Sequence, residues 1–391
     1  MNHIEQIALE PCVQSAITQF RTRQLDNINL IQAIQQIPAP TFAEAERAAF
    51  VESHMLALGL HDVRQDDLHN VYGRFPGQHR RAPLIITAHL DTVFPLETDL
   101  RIRENGRLLS GPGIGDNSTG VAGLLLLAKS LIENQIQLTN DVWLVANVCE
   151  EGLGDLRGIR AVVEKFGQSA KYIIVEGGLF GQISHQAIGV RRFRLEVSGP
   201  GGHSWGSFGA ASAIHVLGHL ISAIDKLPVP TSPRTTYNVG IIEGGTSINT
   251  IAQSAALQLD LRSEEPSALQ HLVDSVTDIV QQTNQLRRDE GIHVTMTAIG
   301  SRPPGQISRH TALVKTAVDA LHYVGSQGIT FMMGSTDANV PLSKGFTAVV
   351  LGLTESGNAH RLDEFIDPTR LPDGLSQLLL VTLATAGFPH R

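Results

Sequence analysis

Six side chains of the metal-binding and proton-moving types stand at the ends of apolar runs in this sequence: His89, Asp116, Glu150, Glu151, Glu176 and His360. Two imidazoles with three carboxylates suit a pair of Zn2+-like ions, one carboxylate bridging and each ion taking nitrogen and oxygen ligands. One carboxylate is then left over. A paired site of this kind activates water and clamps a tetrahedral intermediate, while a spare carboxylate moves the water's proton to a leaving amine. Glu150 and Glu151 are adjacent, and neighbours on an extended segment point apart, so this pair can supply both roles. Asp91 follows His89 by two residues. In a strand such residues share a face, and a carboxylate is the usual acceptor that fixes an imidazole ligand.

The elements that must hold these groups are short. Leu84-Ile85-Ile86-Thr87-Ala88-His89 is a buried-strand pattern bounded by Pro83, and the apolar runs 142–148 and 172–175 end at Glu150-Glu151 and at Glu176. Gly111-Pro112-Gly113-Ile114-Gly115-Asp116 leads into an apolar helix containing Leu124-Leu125-Leu126-Leu127. Helices alternating with short apolar strands predict an α/β fold with a mixed, mainly parallel sheet flanked by helices. Ligands of such sheets bind beyond the carboxyl ends of the strands. Residues 1–35 read as helix, and Thr41 with Glu44 has capping-box spacing for a helix that stops at Gly59. From about Val190 the texture turns to apolar–charged alternation. Strands near 191–197, 236–242, 255–262 and 293–298, with helices near 210–224 and 268–286, give a βαββαβ order, the split-βαβ arrangement. The expected organisation is one domain built from 1–189 and 303–391, interrupted by a ferredoxin-like α+β domain at 190–302.

Composition limits the function classes. With 391 residues, 42% hydrophobic and 17% charged, the chain has the make-up of an ordinary globular protein. A formal charge of −8 argues against nucleic-acid partners, which favour a basic face. No apolar run reaches membrane-spanning length, the first residues lack a signal-peptide pattern, and two cysteines cannot build a disulfide framework. These features predict a cytoplasmic protein without nucleic-acid or membrane partners.

In combination, the strand-end residues and the inserted domain resemble the zinc-dependent exopeptidase and deacylase family of carboxypeptidase G, aminoacylase, acetylornithine deacetylase and succinyl-diaminopimelate desuccinylase. The resemblance covers nearly the whole chain. It implies that His89 and Glu176 hold one divalent ion, that Glu151 and His360 hold a second, and that Asp116 bridges them, the ions being Zn2+ with Co2+ or Mn2+ as alternatives. It also implies that Asp91 orients His89, that Glu150 is general base and acid, and that the peptide after Asp116 is cis. The insertion would be a lid and dimerisation domain. Within it, His203 would reach the partner subunit's site in a homodimer and stabilise the oxyanion, and Asn249, Arg262 and Arg302 would contact substrate, Arg302 through a carboxylate. The implied substrate is a small peptide or N-acyl amino acid. Glu at position 176 leans toward carboxypeptidases and deacylases, with aminopeptidase or dipeptidase as the alternative. Asp337 and Asn339, in an Asp-Ala-Asn loop, read as turn formers.

Two rival patterns are present. Gly202-His203-Ser204-Trp205-Gly206 fits the Gly-x-Ser-x-Gly nucleophile elbow, with Ser204 as nucleophile, but it follows an alternating strand and would leave the strand-end residues unexplained. Gly111–Gly120 could pass for a phosphate cradle, yet it lacks the P-loop lysine and puts Asp116 where phosphate would sit.

Overall fold

The computed structural model describes residues 2–326 and 328–389, and these form two compact units: Met1–Ala187 with Gly305–Arg391, and Ile188–Pro304. The chain leaves the first unit at Ala187 and re-enters at Gly305, and these two residues pair in adjacent strands. Ends so close together let a second unit be inserted without disturbing the sheet.

The first unit is built on a nine-stranded sheet. Its order is His61–Gln65, Val71–Phe75, Asn140–Asn147, His79–His89, Lys171–Glu176, Ala348–Gly352, Gln182–Ala187 and Gly305–Gln306, with Thr330–Gly334 pairing beside Gln182–Ala187. The three adjacent pairs at the centre, from Asn140–Asn147 to Ala348–Gly352, are parallel, while the pairs toward the His61 edge are antiparallel. Central parallel strands are covered on both faces, which is why Leu84–Ile86 and Ile173–Val175 are apolar on both sides of the pleat. One face packs on helices Gly120–Glu133, Ala312–Tyr323 and Leu371–Ala386, and the other on helix Arg157–Phe166 and the residues Ala338–Leu342. Helix Gly120–Glu133 is buried through its first three turns, with Leu124, Leu125, Leu126 and Leu127 all in the core, and carries its polar pair Lys129–Glu133 near its end.

Two sequence expectations fail here for physical reasons. Residues 1–35 are three helices, His3–Ala8, Pro11–Thr22 and Gln24–Gln35, broken where Pro11 can only start a new helix. The capping box at Thr41 does not form: the helix spans Ala45–Ala57 without a side-chain cap, because the Thr41 hydroxyl donates to Asp91 Oδ2 (2.9 Å) and a Glu44 carboxylate oxygen accepts from Cys149 N–H (3.0 Å). Both candidate caps serve tertiary contacts instead. No helix among the described residues is long and apolar enough to cross a membrane.

The second unit has its own four-stranded antiparallel sheet, in the order Thr235–Gly244, Ser254–Ser263, Gly189–Ser198, His293–Arg302. Helices Ala213–Ile224 and Pro266–Leu286 cover one face and close a separate core around Leu195, Leu217, Leu257, Leu261 and Val276. The other face carries charge, which explains the apolar–charged alternation of Arg191–Val197. On it Asp260 accepts from Arg192 Nε at 2.9 Å and from Arg262 Nε at 2.6 Å. Burial disfavours the ionised Asp260, but the bonds from Arg262 and Arg192 outweigh it and hold the carboxyl below the ordinary aspartate range.

A folded-state value below the unfolded one makes this pair stabilising at neutral pH and loses that contribution as pH falls below about 4. Asp260→Asn is therefore expected to cost about 1 kcal/mol at pH 7, the scale of a partly exposed ion pair. Urea unfolding of the full chain should show the deficit shrink as pH falls below about 4. A deficit unchanged at low pH would assign Asp260 a packing role instead.

Candidate metal centre

The carboxyl ends of three neighbouring central strands converge on one point. His89 closes strand His79–His89, Glu150 and Glu151 follow strand Asn140–Asn147, and Glu176 closes strand Lys171–Glu176. The loop before helix Gly120–Glu133 brings in Asp116, and the segment after the small strand Glu355–Gly357 brings in His360. His89 Nε2 lies 3.0 Å from Asp116 Oδ1 and 3.7 Å from Glu176 Oε2. His360 Nε2 lies 3.1 Å from Asp116 Oδ2 and 2.9 Å from Glu151 Oε1. Asp116 thus presents one oxygen to each imidazole. His89, Asp116 and Glu151 offer ligand atoms all within 4.8 Å of one another, close enough for one cation.

Backbone constraints hold these groups in place. Asp91 Oδ1 accepts from Glu150 N–H (2.9 Å), and Oδ2 accepts from Glu151 N–H (2.8 Å) and from Thr41. His89 Nδ1 donates to the backbone carbonyl of Asp91 at 3.0 Å, while the nearer carboxylate oxygen stands 3.5 Å away. The tautomer of His89 is therefore fixed by Asp91's carbonyl, and the Asp91 carboxylate is spent mainly on the Glu150-Glu151 backbone. Glu364 performs the same service for Asp116: its Oε1 accepts from Gly115 N–H (2.8 Å) and Asp116 N–H (2.9 Å). Asn117, joined to Asp116 by a cis peptide bond, donates to Val175 O and accepts from Gly177 N–H, both at 2.8 Å. Gly120 lies so close beneath that a Cβ there would collide with the Asn117 side chain. Cys149 and His360 both have left-handed backbones, at φ +59° and +67°, a strain that clusters at functional sites.

The electrostatics follow from crowding carboxylates away from water. Burial pushes Glu151 and Glu176 each up to about 7, against the pull of His360 on the first and His89 on the second. Burial disfavours the ionised Asp116, but His360 and His89 hold it below its usual range. Hydrogen bonds to Asp116 and Glu151 drive His360 up to about 10. Among the described residues, the ion-pair partners of Asp116, Glu151 and Glu176 are these two imidazoles alone. Three carboxylates facing two imidazole Nε2 atoms, Glu151 and Glu176 buried and Asp116 half-buried, make a donor set short of positive charge, which fits divalent cations with nitrogen and oxygen ligands.

The other sequence-predicted residues lie in the second unit. His203 Nδ1 accepts from the backbone N–H groups of Trp205 (3.2 Å) and Gly206 (3.3 Å), which leaves the proton on Nε2. Asn249 accepts at its backbone oxygen from Ser204 N–H, its side chain accepting from Ser247 Oγ. Arg262 is committed to Asp260, and Arg302 is buried. The nucleophile-elbow pattern is not an elbow: Ser204 follows the exposed two-residue strand Gly202–His203, antiparallel to Thr250–Ile251. Asp337 is more than a turn former. Fully buried, it accepts from Asn147 Nδ2 at 2.7 Å, and burial and the nearby Glu150 charge raise its carboxyl well above its usual range. Sequence reading missed Glu364, Asn117, Asn147 and Thr41. The Thr41/Glu44 pair did carry a signal, but the signal pointed to a helix cap.

Comparison with known proteins adds an independent line. Residues 85–383 match the profile described as peptidase family M20/M25/M40. A Mycobacterium tuberculosis protein bearing the name "Putative succinyl-diaminopimelate desuccinylase DapE" is 28% identical over 356 residues, covering 87% of this chain and 93% of its own. Among solved structures, a tripeptidase from Staphylococcus aureus superposes with a TM-score of 0.76 at 22% identity, covering 93% of this chain and 98% of that one. A dinuclear metal-binding M20 peptidase from Bacillus subtilis superposes with a TM-score of 0.66 at 15% identity, covering 94% and 99%.

Asp91→Ala removes the acceptor for two buried backbone N–H groups and a hydroxyl. Urea unfolding of the metal-free protein is expected to show a loss of roughly 2–4 kcal/mol, with Asp91→Asn, which keeps one acceptor oxygen, at about half that. An unchanged midpoint for Asp91→Ala would mean that the Glu150-Glu151 backbone is held by something else.

Proposed function

The chain belongs to peptidase family M20/M25/M40, and from that membership we propose that it is a dinuclear metal hydrolase that cleaves the amide bond of a small peptide or N-acyl amino acid. The observation that carries this is Asp116 presenting one carboxylate oxygen to His89 and the other to His360. In this proposal His89 and Glu176 hold one ion, His360 and Glu151 the second, and Asp116 serves both. Two divalent ions held there, Zn2+ being the first to test, would supply Lewis acidity and make a hydroxide nucleophile available at neutral pH.

The chain's own residues do the rest. Glu150, held by its backbone to Asp91, takes the proton of the attacking water and returns it to the leaving nitrogen. His203, with its proton on Nε2, is a donor suited to the oxyanion of the tetrahedral intermediate. The Ile188–Pro304 unit is proposed as lid and dimerisation domain. Trp205, Phe208 and Ile248 are almost fully exposed in the two loops joined at His203 and Thr250, a composition suited to the core of an interface between two copies. Asn249, Arg262 and Arg302 are the proposed substrate contacts of this unit, and the proposed location is the cytoplasm.

Carboxypeptidase or deacylase action is favoured over aminopeptidase action by Glu176 and by the desuccinylase-named relative. Two matched substrates test this: an N-acyl amino acid with a free carboxylate, and an amino acid amide with a free amine. The metal-loaded enzyme is expected to cleave the first and not the second, and a chelator to abolish the activity. Cleavage of the second alone would make it an aminopeptidase, and cleavage that survives complete metal removal would sink the metal mechanism. Glu150→Gln is expected to lower kcat by about 10³-fold or more, with metal content by atomic emission unchanged. Loss of bound metal in that variant would instead make Glu150 a ligand.

A further inference from the structure

Phe42 and Arg157 stack on each other on segments tied to the one that carries Glu150 and Glu151, and no step of the proposed mechanism uses either. Thr41 is pinned through its hydroxyl to Asp91 Oδ2, with Glu151 O 3.5 Å away. Phe42 is the next residue, so its position is tied to the Glu150-Glu151 segment. Its backbone is left-handed at φ +76°, a conformation a bulky residue keeps only where its surroundings impose it, yet its side chain is 55% exposed. From the other side, Gly154 N–H donates to Glu151 O (2.8 Å) and Leu156 N–H to Cys149 O (3.0 Å). These bonds fold the chain back after Glu151 and set Arg157 at the start of helix Arg157–Phe166. The guanidinium carbon of Arg157 lies 4.9 Å from the Phe42 ring centroid.

Arg157 is exposed and has no acidic partner among the described residues, whereas the exposed Arg21, Arg101 and Arg361 each pair with an acid. Stacking on an aromatic ring uses the face of the guanidinium and leaves its in-plane N–H fork open, the geometry that takes a carboxylate with two hydrogen bonds. We propose that Arg157, held by Phe42, binds a free carboxylate of the substrate, making the preferred substrates carboxylate-bearing amides.

The assignment rests on the amide-hydrolase function proposed above, and the test separates the two. Metal-loaded wild type, Arg157→Gln, Arg157→Lys and Phe42→Leu are assayed on N-succinyl-alanine, on N-butyryl-alanine, which lacks the acyl carboxylate, and on N-succinyl-alaninamide, which lacks the other. Arg157→Gln is expected to lower the kcat/KM preference for the carboxylate-bearing member of one pair by about tenfold, through KM. Arg157→Lys should fall between, keeping charge without the fork, and Phe42→Leu should reproduce part of the loss. Unchanged preferences in both pairs overturn the proposal. Thermal unfolding checks that each variant folds; should Arg157→Gln fail to fold, the Phe42→Leu and Arg157→Lys ratios decide in the same way. If the wild type cleaves none of the three, the hydrolase function fails on its own, and calorimetric titration of succinate against butyrate decides the subsite. Succinate binding about tenfold weaker in Arg157→Gln, with butyrate unaffected, supports it, and equal succinate binding overturns it.

Discussion

The Asp91 carboxylate is the tie on which the rest of the centre depends. One buried side chain accepts from the backbone of Glu150, the backbone of Glu151 and the hydroxyl of Thr41, while its own carbonyl fixes His89. Ends of two parallel strands and the segment before the helix Ala45–Ala57 are thereby locked into one rigid corner. Burial works against the ionised Asp91, but His89 and the two backbone N–H groups keep its carboxyl below the usual range. Removing the side chain would free the two glutamates, while the His89 imidazole would keep its bond to the Asp91 backbone carbonyl.

A second constraint is charge. Asp116, Glu151 and Glu176 crowd the buried His89 and the exposed His360, and buried carboxylates such as Glu151 and Glu176 are costly without cations. In the protein alone the imbalance is met by shifting protons, with His360 driven up and the two glutamates driven toward neutrality. Divalent cations would resolve the same imbalance without protons. The fold supports this density of charge by using up backbone donors: Glu364 and Asn117 hold the loop around Asp116, and Glu44 holds the left-handed Cys149.

Chain topology lets chemistry and insertion coexist. The ligands sit where the central strands end, the position that parallel sheets leave open for ligands. The inserted unit departs from the antiparallel side of the sheet, between residues that pair with each other. Its own core, around Leu195, Leu257 and Val276, shares no residues with the clusters that flank the large sheet.

The sequence alone carried the parallel α/β layering, the split-βαβ order of the insertion and the six strand-end residues, because each depends on a local signal: apolar runs, alternation and residue type at a strand end. It held no sign that Arg157 stacks on Phe42. Tertiary structure decided what contacts distant in sequence decide. Thr41 and Glu44 looked like a helix cap until Asp91 and Cys149, about 50 and 105 residues away, claimed them. Glu364 and Asp337 carry no spacing signal at all, and they matter only because folding sets their carboxyls against Asp116 and Asn147. A hydrogen bond needs two partners within about 3 Å, and no local pattern announces a partner that arrives from another part of the chain.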